Sequence, residues 1–331
     1  MNRDAGLFPG FRSARIEGAG ATIACAIGGS GPPLLMLHGF PQTHAMWHRV
    51  APALADRYTV VCADLRGYGD SSKPPTDAKH APYSKRAMAA DMVAVMRSLG
   101  FPRFRLAGHD RGGRVSHRLA LDHPDAVDRV AVLDIAPTLA MYEKADRAFA
   151  TAYYHWFFLI QPHDLPERMI GADPANYLLT KIGGWGSAGT SFFDPRALAE
   201  YQRCYADPAT IHATCEDYRA SASIDIELDA ADRAAGRRVR CPLLALWGDR
   251  GVVHRLFDPL AEWRAVADDV RGKALPCGHY LAEELPLETL AELDAFLRAL
   301  RPALGGPGEP PAVPAIIRDS RPSSSVGRAE D

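Results

Sequence analysis

The sequence predicts an α/β fold with a mostly parallel sheet covered by helices on both faces. Two observations carry that expectation. Short apolar runs, each ending in a turn motif, alternate with stretches of helical periodicity. The alternation then stops near Pro137 and resumes near Pro242, which implies a helical insertion between two strands of one sheet.

Taken in order, Phe11–Glu17 and Thr22–Ile27 read as two strands flanking the turn Gly18-Ala19-Gly20. Leu34-Leu35-Met36-Leu37 is a run apolar at every position, as a strand buried on both faces requires, and it ends at His38-Gly39-Phe40-Pro41. A helix is expected through Trp47 and Leu54. Tyr58–Ala63 is the next buried strand, followed by Asp64-Leu65-Arg66-Gly67-Tyr68-Gly69-Asp70-Ser71. Tyr83–Leu99 has helical periodicity in Met88, Met92, Val95 and Met96. Phe104–Ala107 is a strand that runs straight into Gly108-His109-Asp110-Arg111-Gly112, then a helix reaches His123, and Val130–Leu133 is a strand again. From Thr138 to Ala235 there are helical patches rich in aromatic residues and no convincing strand. Strands return at Pro242–Trp247 and Gly272–Leu275, and Leu287–Leu300 reads as the closing helix. The expected organisation is therefore a core at 1–137 and 236–302, an inserted helical cap at 138–235, and a Pro-, Gly- and Ser-rich disordered tail at 303–331.

Composition narrows the function. Apolar residues at 47% and charged residues at 24% fit a globular protein, and a net charge of −2 gives no reason to expect nucleic acid or an anionic membrane as partner. The six cysteines lack metal-ligand spacing and read as reduced thiols, consistent with a cytoplasmic location. No signal peptide or membrane span is expected. His44 and His48 have i, i+4 spacing but show no acidic partner or third ligand in the sequence, so no metal is expected.

The chemistry is concentrated at Gly108-x-Asp110-x-Gly112. At a strand-to-helix junction this is a nucleophile elbow with aspartate where serine commonly stands. The glycines permit a tight turn, and the helix that follows aims backbone N–H groups and a positive dipole end at the carboxylate. The backbone N–H groups of Phe40 and Arg111 form a candidate oxyanion hole. A histidine after the last strand, His279, stands where such a fold places its base. The acid that orients it has two candidates at strand ends, Asp134 and Asp249.

These motifs, together with Gly278-His279, resemble the α/β-hydrolase superfamily over about residues 10 to 300, in the branch that holds epoxide hydrolases and haloalkane or haloacetate dehalogenases. Two features point to haloacetate. Arg111 and Arg114 lie three residues apart on the helix after Asp110, where guanidiniums can grip a carboxylate; an epoxide or haloalkane has none. His155-Trp156 and Tyr218 match the positions from which fluoroacetate (haloacetate) dehalogenases donate hydrogen bonds to the departing halide. The resemblance favours Asp134 over Asp249 as the acid and implies no cofactor. Its substrate would be a small anionic haloacid, hydrolysed through an ester on Asp110, and a homodimer is an assembly it allows. Epoxide hydrolysis with the same nucleophile is the alternative. A non-catalytic receptor on this fold is a further one, weakened because nucleophile, acid and base positions are all filled.

Overall fold

The computed structural model describes residues 6–299; the expected tail at 303–331 lies outside the described residues. Eight strands form one sheet: β1 (Arg12–Glu17), β2 (Thr22–Gly28), β3 (Pro33–Leu37), β4 (Thr59–Ala63), β5 (Phe104–His109), β6 (Val127–Leu133), β7 (Leu243–Gly248) and β8 (Val270–Leu275). Their order is β1-β2-β4-β3-β5-β6-β7-β8. β1 and β2 pair antiparallel, as do β2 and β4, and every later pairing is parallel. Parallel strands need crossover connections, and the helices that supply them cover both faces. Hence the central strands are apolar throughout: Leu34, Leu35, Met36 and Leu37 are fully buried, as are Leu106, Ala107, Val130 and Ala131.

Strand ends differ from the sequence expectation by a few residues, because backbone pairing continues past the apolar run. β6 starts at Val127 through its register with Phe104, although Asp128 and Arg129 interrupt the apolar pattern. The helix expected through Trp47 and Leu54 is two separate turns, His44–Trp47 and Ala51–Leu54. Pro52 has no N–H to continue a helix and is accommodated in the first turn of the second piece. Lys85–Ser98 forms the next helix, capped by the Ser84 hydroxyl on the Ala87 N–H.

Between β6 and β7 the described structure is helical. Aspartate followed by proline starts several of these helices, at Asp173-Pro174, Asp194-Pro195 and Asp207-Pro208. The carboxylate accepts a free N–H of the first turn, and proline occupies the position that has no N–H to satisfy. The helix Pro208–Ala220 passes into a π-turn at Ser221–Asp225 before Ile226–Ala234 resumes α geometry. None of the described helices is long and apolar enough to cross a membrane.

Parallel pairing aligns the carboxyl ends of β3, β5, β6, β7 and β8 along one edge of the sheet. The loops that leave this edge hold Phe40, Asp110, Asp134 and His279, and the inserted helices emerge beside them.

Candidate active site

Asp110 sits between β5 and the helix Arg111–Asp122 with φ 45° and ψ −113°. A non-glycine residue in this region is strained, and the turn closes only because the backbone packed around it is glycine at three positions. A Cβ on Gly108 would strike the Gly112 carbonyl, one on Gly112 would strike the backbone of Leu37 and His38, and one on Gly39 would strike Asp110 itself. The elbow therefore packs its backbone directly against the loop after β3. That loop is fixed by His38, whose Nδ1 donates to the Gly39 carbonyl at 2.9 Å while Nε2 accepts the Leu65 N–H at 3.0 Å.

The close approach places the Phe40 N–H 2.9 Å from Asp110 Oδ1. Burial alone would raise the Asp110 pKa, but His279, Arg114 and Arg111 outweigh it and hold the carboxyl below its ordinary range. Asp110 is therefore an ionised, buried carboxylate. The Arg111 N–H belongs to the first residue of the elbow helix, among the donors a helix leaves free at that end.

His279 lies in the loop after β8. Its Nδ1 is 2.6 Å from Asp134 Oδ2, and Asp134 Oδ1 accepts the Gly248 N–H at 3.0 Å. Asp134 is held at φ 52° at the end of β6. Asp249 is turned away: its side chain is 42% exposed, and its ionic neighbour is Arg250 at 3.9 Å. Burial pulls the His279 pKa down, but the hydrogen bond and charge of Asp134 prevail and leave it above the ordinary value. The His109 ring lies tilted against that of His279 at 4.5 Å and donates from Nε2 to the His279 carbonyl at 2.9 Å. Burial and the neighbouring His279 push His109 down to about 3, so it is neutral.

The two arginines have different settings. The Arg111 Nε and Nη2 clasp Asp217 at 2.9 and 2.7 Å, and Nη2 also reaches the Asp217 carbonyl at 3.0 Å and Ser221 Oγ at 2.5 Å. Its Nη1 is buried without a partner. The Arg114 Nη1 donates to the Ala136 carbonyl at 3.2 Å and Thr138 Oγ1 at 3.0 Å, Nη2 approaches the Met141 sulfur at 3.2 Å, and Nε is buried without a partner.

The inserted helices bring His155, Trp156 and Tyr218 to the same place. The Arg111 guanidinium lies 4.1 Å from the centre of the Tyr218 ring, and that of Arg114 lies 4.7 Å from the Trp156 ring. His155 stacks on Phe40 at 5.9 Å and meets Tyr218 edge-on at 5.6 Å. Burial, then the charges of Lys181 and Arg111, drive the His155 pKa well below its ordinary value, so the imidazole is neutral. Phe40, Arg111, Arg114, Asp134, His155, Trp156, Tyr218 and His279, all expected from the sequence, are thus gathered around Asp110, and Asp249 is not.

What holds Arg111 leaves no mark in the sequence. Asp217 also accepts from Tyr68 Oη at 2.6 Å and from Lys85 Nζ, and Lys85 continues to Asp225 at 3.5 Å. These residues come from distant parts of the chain, and no local motif marks their pairing. Trp185, 4.7 Å from His155 and 5.6 Å from His279, was likewise only one aromatic among many. His44 also has the acidic partner that the sequence does not reveal: its Nδ1 and backbone N–H both bond Asp64 Oδ1 at 2.8 Å. Away from the site, His163, Glu167 and His212 bring ligand atoms within 4.8 Å of one another, but Glu167 is already engaged by Arg219 at 2.7 Å.

Residues 32–250 match the family model of the alpha/beta hydrolase fold. The chain is 52% identical to a fluoroacetate dehalogenase of Burkholderia sp over 295 residues, covering 89% of this chain and 96% of that protein. It is 35% identical to a soluble epoxide hydrolase of Corynebacterium sp., covering 82% and 92%. A solved structure of a Nostoc sp PCC 7120 protein described as an alpha/beta hydrolase superposes with a TM-score of 0.86 at 54% identity, covering 88% and 99%. With an aspartate on its elbow and a histidine paired to a strand-end acid, this chain belongs to the α/β-hydrolase family.

Proposed function

We propose that the protein hydrolyses the carbon–halogen bond of a small haloacid, fluoroacetate or another haloacetate, giving the hydroxyacid and halide. The observation that carries this reading is the pair of buried arginine N–H groups without partners beside an ionised nucleophile. Buried polar groups are rarely left unsatisfied, so a carboxylate-bearing substrate is the ligand that completes them. The similarity to a fluoroacetate dehalogenase supports the same substrate class.

In the first step an Asp110 carboxylate oxygen attacks the halogen-bearing carbon, the carbon–halogen bond breaks, and the halide leaves with the electron pair. Arg111 and Arg114 orient the substrate carboxylate so that carbon faces Asp110. His155, Trp156 and Tyr218 donate hydrogen bonds to the departing halide, where charge appears only as the bond breaks. In the second step His279 takes a proton from water, whose oxygen attacks the ester carbonyl of Asp110. The Phe40 and Arg111 N–H groups receive the oxyanion; the Phe40 donor already bonds that carboxyl oxygen. Collapse breaks the ester bond, the leaving alkoxide takes the proton held by His279 to become the hydroxyacid, and the remaining proton of the water passes to solvent as the carboxylate is restored. Esterification also cancels the Asp110 charge, one of those that favour protonated His279. The imidazole therefore becomes a freer base at the step that needs one.

Epoxide hydrolysis is the second reading. Tyr153 and Tyr218, both buried, lie within reach of the Asp110 charge, as acids toward an epoxide oxygen would. One experiment separates the two. With fluoroacetate or chloroacetate in heavy-oxygen water under single-turnover conditions, halide is released and label enters the Asp110 carboxyl. Label passing directly into the product would mean attack by water. No halide from either acid, with diol formed from an epoxide, would select the second reading.

A further inference from the structure

The two arginines of the elbow helix share a helix face but not an electrostatic situation. Arg111 is fully buried, and its fork is closed on a fully buried carboxylate, Asp217. Ser221 and the Asp217 carbonyl complete the Nη2 side, and the guanidinium lies over the Tyr218 ring. Only Nη1 is left without a partner. The orientation of this group is therefore fixed in advance, and its formal charge is matched. Lys85, which also reaches Asp217, has Asp225 as a second carboxylate.

Arg114 is equally buried, yet its side-chain partners are all neutral: a carbonyl, a hydroxyl and a thioether. Asp110 is the carboxylate whose charge acts on it. A bidentate arginine–carboxylate pair presents little net field beyond itself, whereas a desolvated guanidinium with neutral partners presents its whole charge.

We propose that Asp217 is a positioning residue that orients the Arg111 Nη1–H toward the substrate carboxylate and cancels the Arg111 charge, leaving Arg114 to supply the positive charge that compensates the anion. Selection of an anionic substrate then rests on Arg114, and Arg111 contributes a single directed hydrogen bond. This division rests on the haloacid reading of the site, but the binding of an unreactive carboxylate tests it without turnover.

Acetate, an unreactive carboxylate of similar size, is titrated calorimetrically into the full-length protein. Arg111→Gln combined with Asp217→Asn removes a cation and an anion together and keeps the Lys85–Asp225 pair. It is expected to weaken acetate binding about tenfold, the effect of one hydrogen bond to a charged group. Arg114→Gln removes an uncompensated charge and is expected to weaken binding about a hundredfold or more. Ser221→Ala, which takes one contact from Nη2, should act more on the KM for chloroacetate than on kcat. Equal losses from Arg114→Gln and the double variant would overturn the proposal, as would a wild-type protein that binds no acetate, or a Ser221→Ala effect confined to kcat. A wild-type protein that binds acetate in this pattern but releases no halide from chloroacetate would overturn the haloacid reading and leave the inference standing. Thermal unfolding of each variant shows whether it is folded; if the double variant is not, Ser221→Ala and Arg114→Gln carry the test.

Discussion

In the proposed reaction, His279 and Asp134 act at different points from Asp110, at the level of single residues. Attack on carbon needs only the Asp110 carboxylate, whereas ester hydrolysis needs the base. His279→Asn is therefore expected to release about one equivalent of halide per site and then stop, with an ester trapped on Asp110. Mass spectrometry of the peptide containing Asp110 reads the trapped ester, and a variant that releases no halide would place His279 earlier. Asp134 raises the His279 pKa, so the imidazole is protonated and inactive as a base on the acid side of that value. Asp134→Asn removes the charge that raises it. The acid limb of the rate of ester hydrolysis should then move to lower pH, while the maximal rate falls; a limb that stays in place would show that another group governs it. Much of this residue-level detail was legible in the sequence. Asp110, Phe40 and His279 stand at motifs that follow buried strands, and a strand end is where an α/β sheet exposes side chains. Asp217 was not legible, because its partner Arg111 lies 106 residues away and a charge pair of that separation leaves no periodic or local trace.

Among the elements, the elbow is the one whose geometry is set most tightly by what it lacks. Gly112 faces the backbone of Leu37 and His38, neither of which can yield as a flexible side chain would. Gly112→Ala is expected to destabilise the fold by about 3 kcal/mol, the upper part of the usual range for overpacking. Denaturant unfolding measures this, and a loss below ~1 kcal/mol would mean that the elbow can shift to make room. The strands were legible because burial on both faces leaves unbroken apolar runs. The helices of the insertion were not individually legible. They are short, their faces are partly covered by one another, and their starts are marked by aspartate–proline pairs rather than by periodicity. The π-turn at Ser221–Asp225 was likewise invisible. Its residues continue an ordinary helical sequence, and its position coincides with Ser221 and Asp225 reaching the Lys85 and Arg111 network.

At the scale of the whole molecule, the proposed reaction takes its nucleophile, acid and base from the sheet edge and the surroundings of its leaving group from the insertion. The two contributions can be separated by changing the halogen. Trp156→Phe keeps an aromatic ring under Arg114 but removes the indole N–H. Fluoride concentrates its charge and depends strongly on donors, whereas bromide is large and leaves readily. Fluoroacetate turnover should fall about ten- to a hundredfold, and bromoacetate turnover much less. Equal losses would assign Trp156 to packing. The molecule also joins its two parts at the base. The His279 N–H bonds the Trp185 carbonyl at 3.0 Å, and Glu284 accepts from the N–H groups of Gly278, Tyr280 and Ser187 at 3.0, 3.0 and 2.9 Å. Any displacement of residues 185–187 away from the sheet must break these bonds and unseat the histidine. In the proposed reaction, proton transfer by His279 therefore requires residues 185–187 to keep these bonds. The amides of Ser187 and His279 should accordingly exchange with heavy water through a common opening event, at equal protection.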